Sequence, residues 1–113
     1  MSSEPVKTIS GYVYYSDKTE LPKNSTLRVS LVDVSKQDVP AKVLDEQVTQ
    51  NADTAGLGFD LSFRPADALD GHTYAISAQI TCGERLIYTT TEQHQVFLDV
   101  DYLQPQRIWV DCV

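Results

Sequence analysis

Residues 74–80 read Tyr-Ala-Ile-Ser-Ala-Gln-Ile, the longest strict alternation in the chain. If this segment is an extended strand, one of its faces carries Tyr74, Ile76, Ala78 and Ile80. A period of two residues, rather than about 3.6, is typical of a β-strand with one buried face. Residues 82–85 (Cys-Gly-Glu-Arg) then predict a tight turn, and residues 86–91 return as the second strand of a hairpin.

The same period recurs along the rest of the chain, between stretches rich in polar turn formers, glycine and proline. It predicts further strands over residues 8–15, 27–31, 42–49 (near an edge), 59–64, 96–100 and 107–113. No segment has an apolar stripe at helical spacing over three turns, and residues 65–72 hold at most one helical turn. The sequence therefore predicts an all-β fold, an antiparallel β-sandwich of about seven to eight strands with at most one short helical turn.

Length and composition indicate a single globular domain. The chain has 113 residues, of which 42% are hydrophobic and 22% charged. We expect residues 1–6 to form a flexible lead-in and residues 7–113 to form one β-sandwich domain. No apolar run approaches the roughly 20 residues of a membrane-spanning helix.

The charge balance excludes two classes of partner. Nine Lys and Arg face sixteen Asp and Glu, so the formal net charge is −7, and the basic residues are scattered rather than grouped. Such a chain repels phosphate backbones and anionic lipid headgroups. Nucleic acid and bare membrane are therefore not expected as partners.

No group of residues predicts catalysis or a bound metal. His72 and His94 lie in polar, turn-like sequence without a second ligand at metal-binding spacing. Asp99, Asp101 and Asp111 lack the further oxygen ligands and the glycine of a calcium loop. We therefore expect no enzymatic activity, no metal and no cofactor.

Ten aromatic residues are numerous for so small a domain, and most are expected to fill the core. Some can instead line a groove for an apolar segment of a partner protein. Our candidates for these partner-binding aromatics are Tyr14, Tyr102 and Trp109.

Several motifs in a fixed order resemble a known family. Residues 9–13 (Ile-Ser-Gly-Tyr-Val) and 21–35 (Leu-Pro-Lys-Asn-Ser-Thr-Leu-Arg-Val-Ser-Leu-Val-Asp-Val-Ser) resemble the opening of YbaY-type lipoproteins. Residues 38–44 (Asp-Val-Pro-Ala-Lys-Val-Leu), 59–67 (Phe-Asp-Leu-Ser-Phe-Arg-Pro-Ala-Asp) and 74–80 fit the same pattern. This resemblance spans residues 9–91, and the family is similar to the YscW group of small outer-membrane lipoproteins.

The resemblance implies a binding function in the bacterial envelope. YscW-type proteins act as pilotins of type III secretion: they bind the C-terminal end of a secretin subunit and escort it to the outer membrane. By this resemblance the chain is a non-enzymatic, lipid-anchored domain on the periplasmic face of the outer membrane, whose partner is an envelope protein such as a secretin. No short motif marks the family's binding site. The alternatives are a structural envelope lipoprotein and a carrier of a small ligand.

The chain departs from the family pattern at both ends. It has neither a signal peptide nor a lipid-bearing cysteine, and we expect residues 1–4 to stand just after the point where that cysteine would lie. The part after Glu92, which contains Trp109 and Cys112, does not match the family motifs.

Cys82 and Cys112 are the only two cysteines, an even number that suits an oxidising compartment. Cys82 continues the parity of the alternation at residues 74–80, and Cys112 continues that of Ile108 and Val110. If the last strand lies beside the hairpin, both thiols face the interior and can form a disulfide, which we predict. The alternative is two separate buried thiols.

Overall fold

The computed structural model describes residues 6–16, 20–35 and 42–113. Within these ranges the chain forms eight strands: β1 (Lys7–Tyr15), β2 (Ser25–Asp33), β3 (Lys42–Gln50), β4 (Gly58–Phe63), β5 (Tyr74–Cys82), β6 (Arg85–Thr89), β7 (His94–Val96) and β8 (Gln106–Cys112). The all-β prediction is confirmed. Of the predicted lead-in at residues 1–6, all but Val6 lies outside the described residues.

The strands form one continuous, nearly closed, barrel-like sheet rather than a sandwich. They follow the order β3-β2-β5-β6-β8-β1-β4. The short strand β7 lies outside this order and pairs with residues 74–76 of β5. The prediction of two separate sheets is wrong because β8 joins them: its end pairs with β6 at Tyr88 and Thr89, and residues 106–110 pair with β1. As predicted, β3 lies at an edge.

One strand pair also departs from the predicted antiparallel arrangement. β1 and β8 run parallel, from Gly11 opposite Gln106 to Tyr15 opposite Val110. Parallel neighbours need a long connection between them, and here most of the chain lies between the two strands. Alternation within a strand carries no information on the direction of its neighbour, so this pairing was not predictable.

The described residues contain three single helical turns, where at most one was expected. α1 (Ala52–Ala55) lies in a predicted loop, and 3₁₀ turns span Pro65–Asp67 and Asp101–Leu103. The strand predicted over residues 96–100 ends at Val96. It ends there because the backbone N–H groups of Val100 and Asp101 donate to the carbonyl of Phe97, which closes a turn. No helix in the described ranges is long and apolar enough to cross a membrane.

The inward faces of the strands form the core. On β5 the side chains of Tyr74, Ile76, Ala78 and Ile80 are all buried, as the alternation predicts. Further buried side chains from the other strands pack in the same cluster, among them Ile9, Leu27, Val29, Leu31, Leu61, Ile108 and Val110. Strands β1, β4 and β8 bury alternate residues, and the buried side chains together fill the interior, as in a small barrel.

Side chains, rather than a backbone ladder, bridge the edge strands β3 and β4. Asp45 and Gln47 face the interior because they lie opposite the buried Leu31 and Val29 of β2. The carboxylate of Asp45 accepts the backbone N–H of Ser62 at 2.7 Å, and the amide oxygen of Gln47 accepts that of Asp60 at 2.7 Å. Gln47 also donates to the carbonyl of Gly58 at 3.2 Å. These bonds satisfy donors that an open edge would expose.

The predicted disulfide between Cys82 and Cys112 is wrong, because both thiols are free. β6 lies between their strands: Cys82 pairs with Arg85 of β6, whereas Cys112 pairs with Tyr88. Two strand spacings alone separate the Cα atoms by about 10 Å, beyond the roughly 7 Å that a disulfide allows. Each cysteine also lies at the end of its strand, past the buried core; Cys82 is half-buried and Cys112 is exposed.

Candidate functional site

Three large aromatic side chains project from the outer surface of β1 and β8. Alternation buries Val13, Ile108 and Val110 and leaves Tyr12 and Trp109 exposed. The exposed fractions are 57% for Tyr12, 37% for Tyr14 and 59% for Trp109. We call these three residues the aromatic face.

Strand pairing sets the geometry of the aromatic face. The parallel register places Tyr14 directly opposite Trp109, and their ring centroids lie 5.3 Å apart at an interplanar angle of 32°. Tyr12 lies opposite Gly58 of β4, where a Cβ atom would approach the Tyr12 ring to 3.2 Å. The glycine therefore leaves room for that ring against the sheet, with its exposed side towards solvent.

A cleft of about 250 Å³ continues the aromatic face towards β4. Its lining includes Gly11, Tyr12, Gly58 and Pro105, together with a polar pair in which the Ser10 hydroxyl donates to the Asp60 carboxylate at 2.6 Å. This surface thus combines rigid apolar rings with a polar rim, the composition typical of protein-binding sites.

Tyr14 and Trp109, two of the three predicted partner-binding aromatics, lie together on this surface, whereas Tyr102 does not. Tyr102 lies in a 3₁₀ turn, where its hydroxyl accepts a hydrogen bond from the Lys7 ammonium at 3.1 Å. The same ammonium lies 4.2 Å from the Tyr102 ring centroid, and the ring packs edge-on against Phe63. The contacts of Tyr102 with Lys7 attach this turn to β1. Tyr12 was missed, although its spacing of two from Tyr14 was a usable signal.

The structure gives His72 a partner that the sequence did not indicate. Its Nδ1 atom lies 2.6 Å from the Asp33 carboxylate, which also accepts bonds from the Ser35 hydroxyl at 2.6 Å and the Ser35 backbone N–H at 2.9 Å. Burial by itself would raise the pKa of Asp33, but these hydrogen bonds outweigh it and lower the pKa to about 2. Asp33 therefore stays ionised at neutral pH.

This cluster differs from a catalytic triad in the group to which its serine donates a hydrogen bond. The Ser35 hydroxyl donates to Asp33 rather than to His72, and it accepts the backbone N–H of Thr73 at 2.6 Å. A serine nucleophile must instead donate to its general base. The arrangement holds the ends of β2 and β5 together and does not activate the serine.

Three further polar residues considered from the sequence, Asp101, Asp111 and His94, have local structural partners. The Asp101 carboxylate accepts the backbone N–H of Phe97, Asp111 accepts the Thr91 hydroxyl, and His94 bonds the Gln106 side chain. Within the described ranges, no group of three or more His, Cys, Asp or Glu residues is arranged to hold a metal ion.

Comparison with known proteins places this barrel among secretion lipoproteins. Residues 4–102 match the family model of the type III secretion system lipoprotein chaperone YscW. The uncharacterized lipoprotein YbaY of Escherichia coli (strain K12) is 36% identical over 83 residues, or 73% of this chain. The chain spans 44% of the length of that relative.

A solved structure shares both the fold and the chain length. It is an alternative pilotin from the type II secretion system of Vibrio cholerae, which superposes with a TM-score of 0.84 at 28% identity. The match covers 96% of this chain and 98% of the pilotin. With the family match over residues 4–102, the resemblance expected from the sequence is confirmed: the chain belongs to the YscW family of type III secretion system lipoprotein chaperones.

Proposed function

We propose that this domain is a pilotin-like chaperone that binds the C-terminal segment of a secretin subunit and assists its localisation or assembly at the outer membrane. The family and the structural similarity to a pilotin support this role. The domain, which we take to be residues 7–113, would act by binding and not by catalysis. A lipid on a cysteine N-terminal to it would hold it on the periplasmic face of the outer membrane.

The aromatic face is the observation that carries the proposal. Tyr12, Tyr14 and Trp109 project from paired strands, so a partner orders few side chains when it binds. Buried Trp and Tyr are the residues most enriched among binding hot spots. At about 25 cal/mol per Å² of apolar area, covering the exposed parts of three rings is worth several kcal/mol.

The partner segment should be amphipathic, with an apolar side against the rings and a polar side towards solvent. Either a short helix or an extended segment can present such a side. The Ser10–Asp60 pair and Arg107, which lies opposite Tyr12 on β8, supply polar groups at the rim.

Trp109 provides a direct test, because it is the only tryptophan of the chain. A peptide from the C-terminus of the secretin of the same organism is titrated against the domain, with a scrambled peptide as control. Binding should shift the Trp109 emission to shorter wavelength, because the indole leaves water. Replacing Tyr12→Ala or Tyr14→Ala should weaken binding at least tenfold, about 1.4 kcal/mol.

The matched control is Tyr102→Phe, which changes a tyrosine away from the aromatic face and should leave the affinity unchanged. Tight binding with no change in Trp109 emission would show that the secretin peptide binds at another surface. No binding of any secretin C-terminal peptide would favour the structural-lipoprotein alternative.

The small-ligand carrier has less support. Buried side chains such as Ile9, Leu61 and Ile108 occupy the interior where a carrier keeps its ligand cavity.

A further inference from the structure

A second cleft, which shares no lining residue with the aromatic face or its cleft, lies between residues 68–72 and the segment of residues 95–99. It has a volume of about 270 Å³, and its lining includes Tyr74, Val96 and Leu98, which are buried core residues. Leu69 and Phe97 also line it, although they are 52% and 58% exposed. Two large apolar side chains from distant parts of the sequence thus meet at one cleft without being covered.

Hydrogen bonds hold both walls of this cleft in place. The backbone N–H of Leu69 donates to the Tyr74 hydroxyl at 2.8 Å, and that hydroxyl donates to the carbonyl of Asp67 at 2.7 Å. On the other wall, the backbone N–H of Phe97 donates to the Asp101 carboxylate at 2.6 Å. A site that is formed before binding avoids the entropy cost of ordering its walls.

The exposed charges around the cleft are negative. Asp70 and Asp99 are exposed and line it, and among its described lining residues there is no lysine or arginine. His72, the remaining ionisable side chain besides Tyr74, is paired with the Asp33 carboxylate at 2.6 Å. The net charge of −7 adds to this local field. Such a field attracts cationic groups and repels anionic ones.

We propose that this cleft, the Leu69–Phe97 cleft, is a second docking site, which takes a polypeptide segment with one large apolar side chain flanked by lysine or arginine. The apolar side chain packs between Leu69 and Phe97, and the flanking cations face Asp70 and Asp99. The cleft shares no residue with the aromatic face, so this site does not depend on the proposed secretin function.

The probe is a capped pentapeptide with a central leucine between two lysines on each side, titrated into ¹⁵N-labelled domain. Amide shifts should change at residues 68–72 and 95–99, while the Trp109 emission stays constant. A peptide with glutamates in place of the lysines, and one with serine in place of the leucine, should bind at least tenfold more weakly. Shifts that map elsewhere, or equal binding of the glutamate peptide, would overturn the proposal.

Two sets of variants separate the apolar from the charged contribution. Phe97→Ser removes an exposed ring, so the fold is retained, and it should weaken binding of the lysine peptide at least tenfold. The double variant Asp70→Asn/Asp99→Asn should weaken it about three- to tenfold and reduce its salt dependence, as expected for exposed charges. Unchanged affinity in either variant contradicts the proposal, and Tyr14→Ala is the control that should bind normally.

Discussion

At position 11 only a hydrogen atom fits between β1 and β8. A Cβ atom on Gly11 would lie 2.1 Å from the carbonyl oxygen of Gln106, and backbone atoms cannot move aside as a flexible side chain can. We therefore predict that Gly11→Ala lowers the free energy of unfolding by about 2–4 kcal/mol, measured by urea denaturation.

Gly58→Ala is the matched control for this prediction. Its new Cβ atom meets only the Tyr12 ring, at 3.2 Å, and that ring can move. We expect a loss of less than about 1 kcal/mol from Gly58→Ala. Equal losses of stability in the two variants would show that the close approach of β8 to Gly11 is not the cause of the destabilisation.

Asp33 should make stability depend on pH in the acid range. Its pKa is lowered from 3.8 to about 2 in the folded protein. A lowered pKa contributes stability that is fully present above the unfolded-state value and is lost as the pH falls through the folded-state value. The contribution is at most about 2 kcal/mol.

We therefore expect Asp33→Asn to be less stable than the parent protein near pH 6, and the difference to shrink towards pH 2. Chemical denaturation at a series of pH values measures it. Asp70→Asn, which removes an exposed carboxylate, is the control. If the difference in stability between the two proteins is the same at every pH, the lowered pKa of Asp33 does not contribute to stability.

On the scale of whole elements, the bridge between β3 and β4 is the most specific feature. Because Asp45 and Gln47 satisfy the N–H groups of Ser62 and Asp60, they protect β4 from pairing with another chain. We predict that Asp45→Ala/Gln47→Ala costs about 1–3 kcal/mol of stability and causes concentration-dependent association. Denaturation and analytical ultracentrifugation measure the two effects.

Glu46→Ala is the control, because it lies between these two residues on β3. Glu46 forms a surface ion pair with Arg28 at 3.6 Å and accepts a hydrogen bond from Ser30. Its loss should cost less than about 1 kcal/mol and leave the protein monodisperse. Association of the Glu46 variant to the same extent would show that the bridge does not protect the edge.

For the molecule as a whole, the separation of Cys82 from Cys112 by β6 predicts that both thiols stay free. Protein purified without reductant, unfolded and alkylated should gain two alkyl groups by intact mass. In the folded protein the exposed Cys112 should react before the half-buried Cys82. A mass two hydrogens lower, with no alkylation, would contradict the observed register.

The aromatic face belongs to this scale too, since it exists only where β8 returns beside β1. Tyr14 and Trp109 are almost a chain length apart in sequence, and the parallel pairing brings their rings to 5.3 Å. Tertiary structure also brings Leu69 and Phe97 to one cleft, and the side chains of His72 and Asp33 into a hydrogen bond. Each of the two proposed binding surfaces is thus a product of strand order.

The sequence by itself determined most of the strands and most of their buried faces. The alternation at residues 74–80 correctly placed Tyr74, Ile76, Ala78 and Ile80 in the core, because the face of a side chain depends only on its parity along an extended backbone. The spaced motifs over residues 9–91 were likewise enough to indicate the family.

Only the tertiary structure decided which strands are neighbours. Parity predicted that Cys82 and Cys112 face inward, but it could not show that β6 lies between them or that both lie past the core. It also could not show that β8 joins the sheets into one barrel or that Tyr102 packs against Lys7 instead of joining Tyr14. The physical reason is that alternation is a local property of one strand, whereas pairing is set by contacts between residues far apart in the chain.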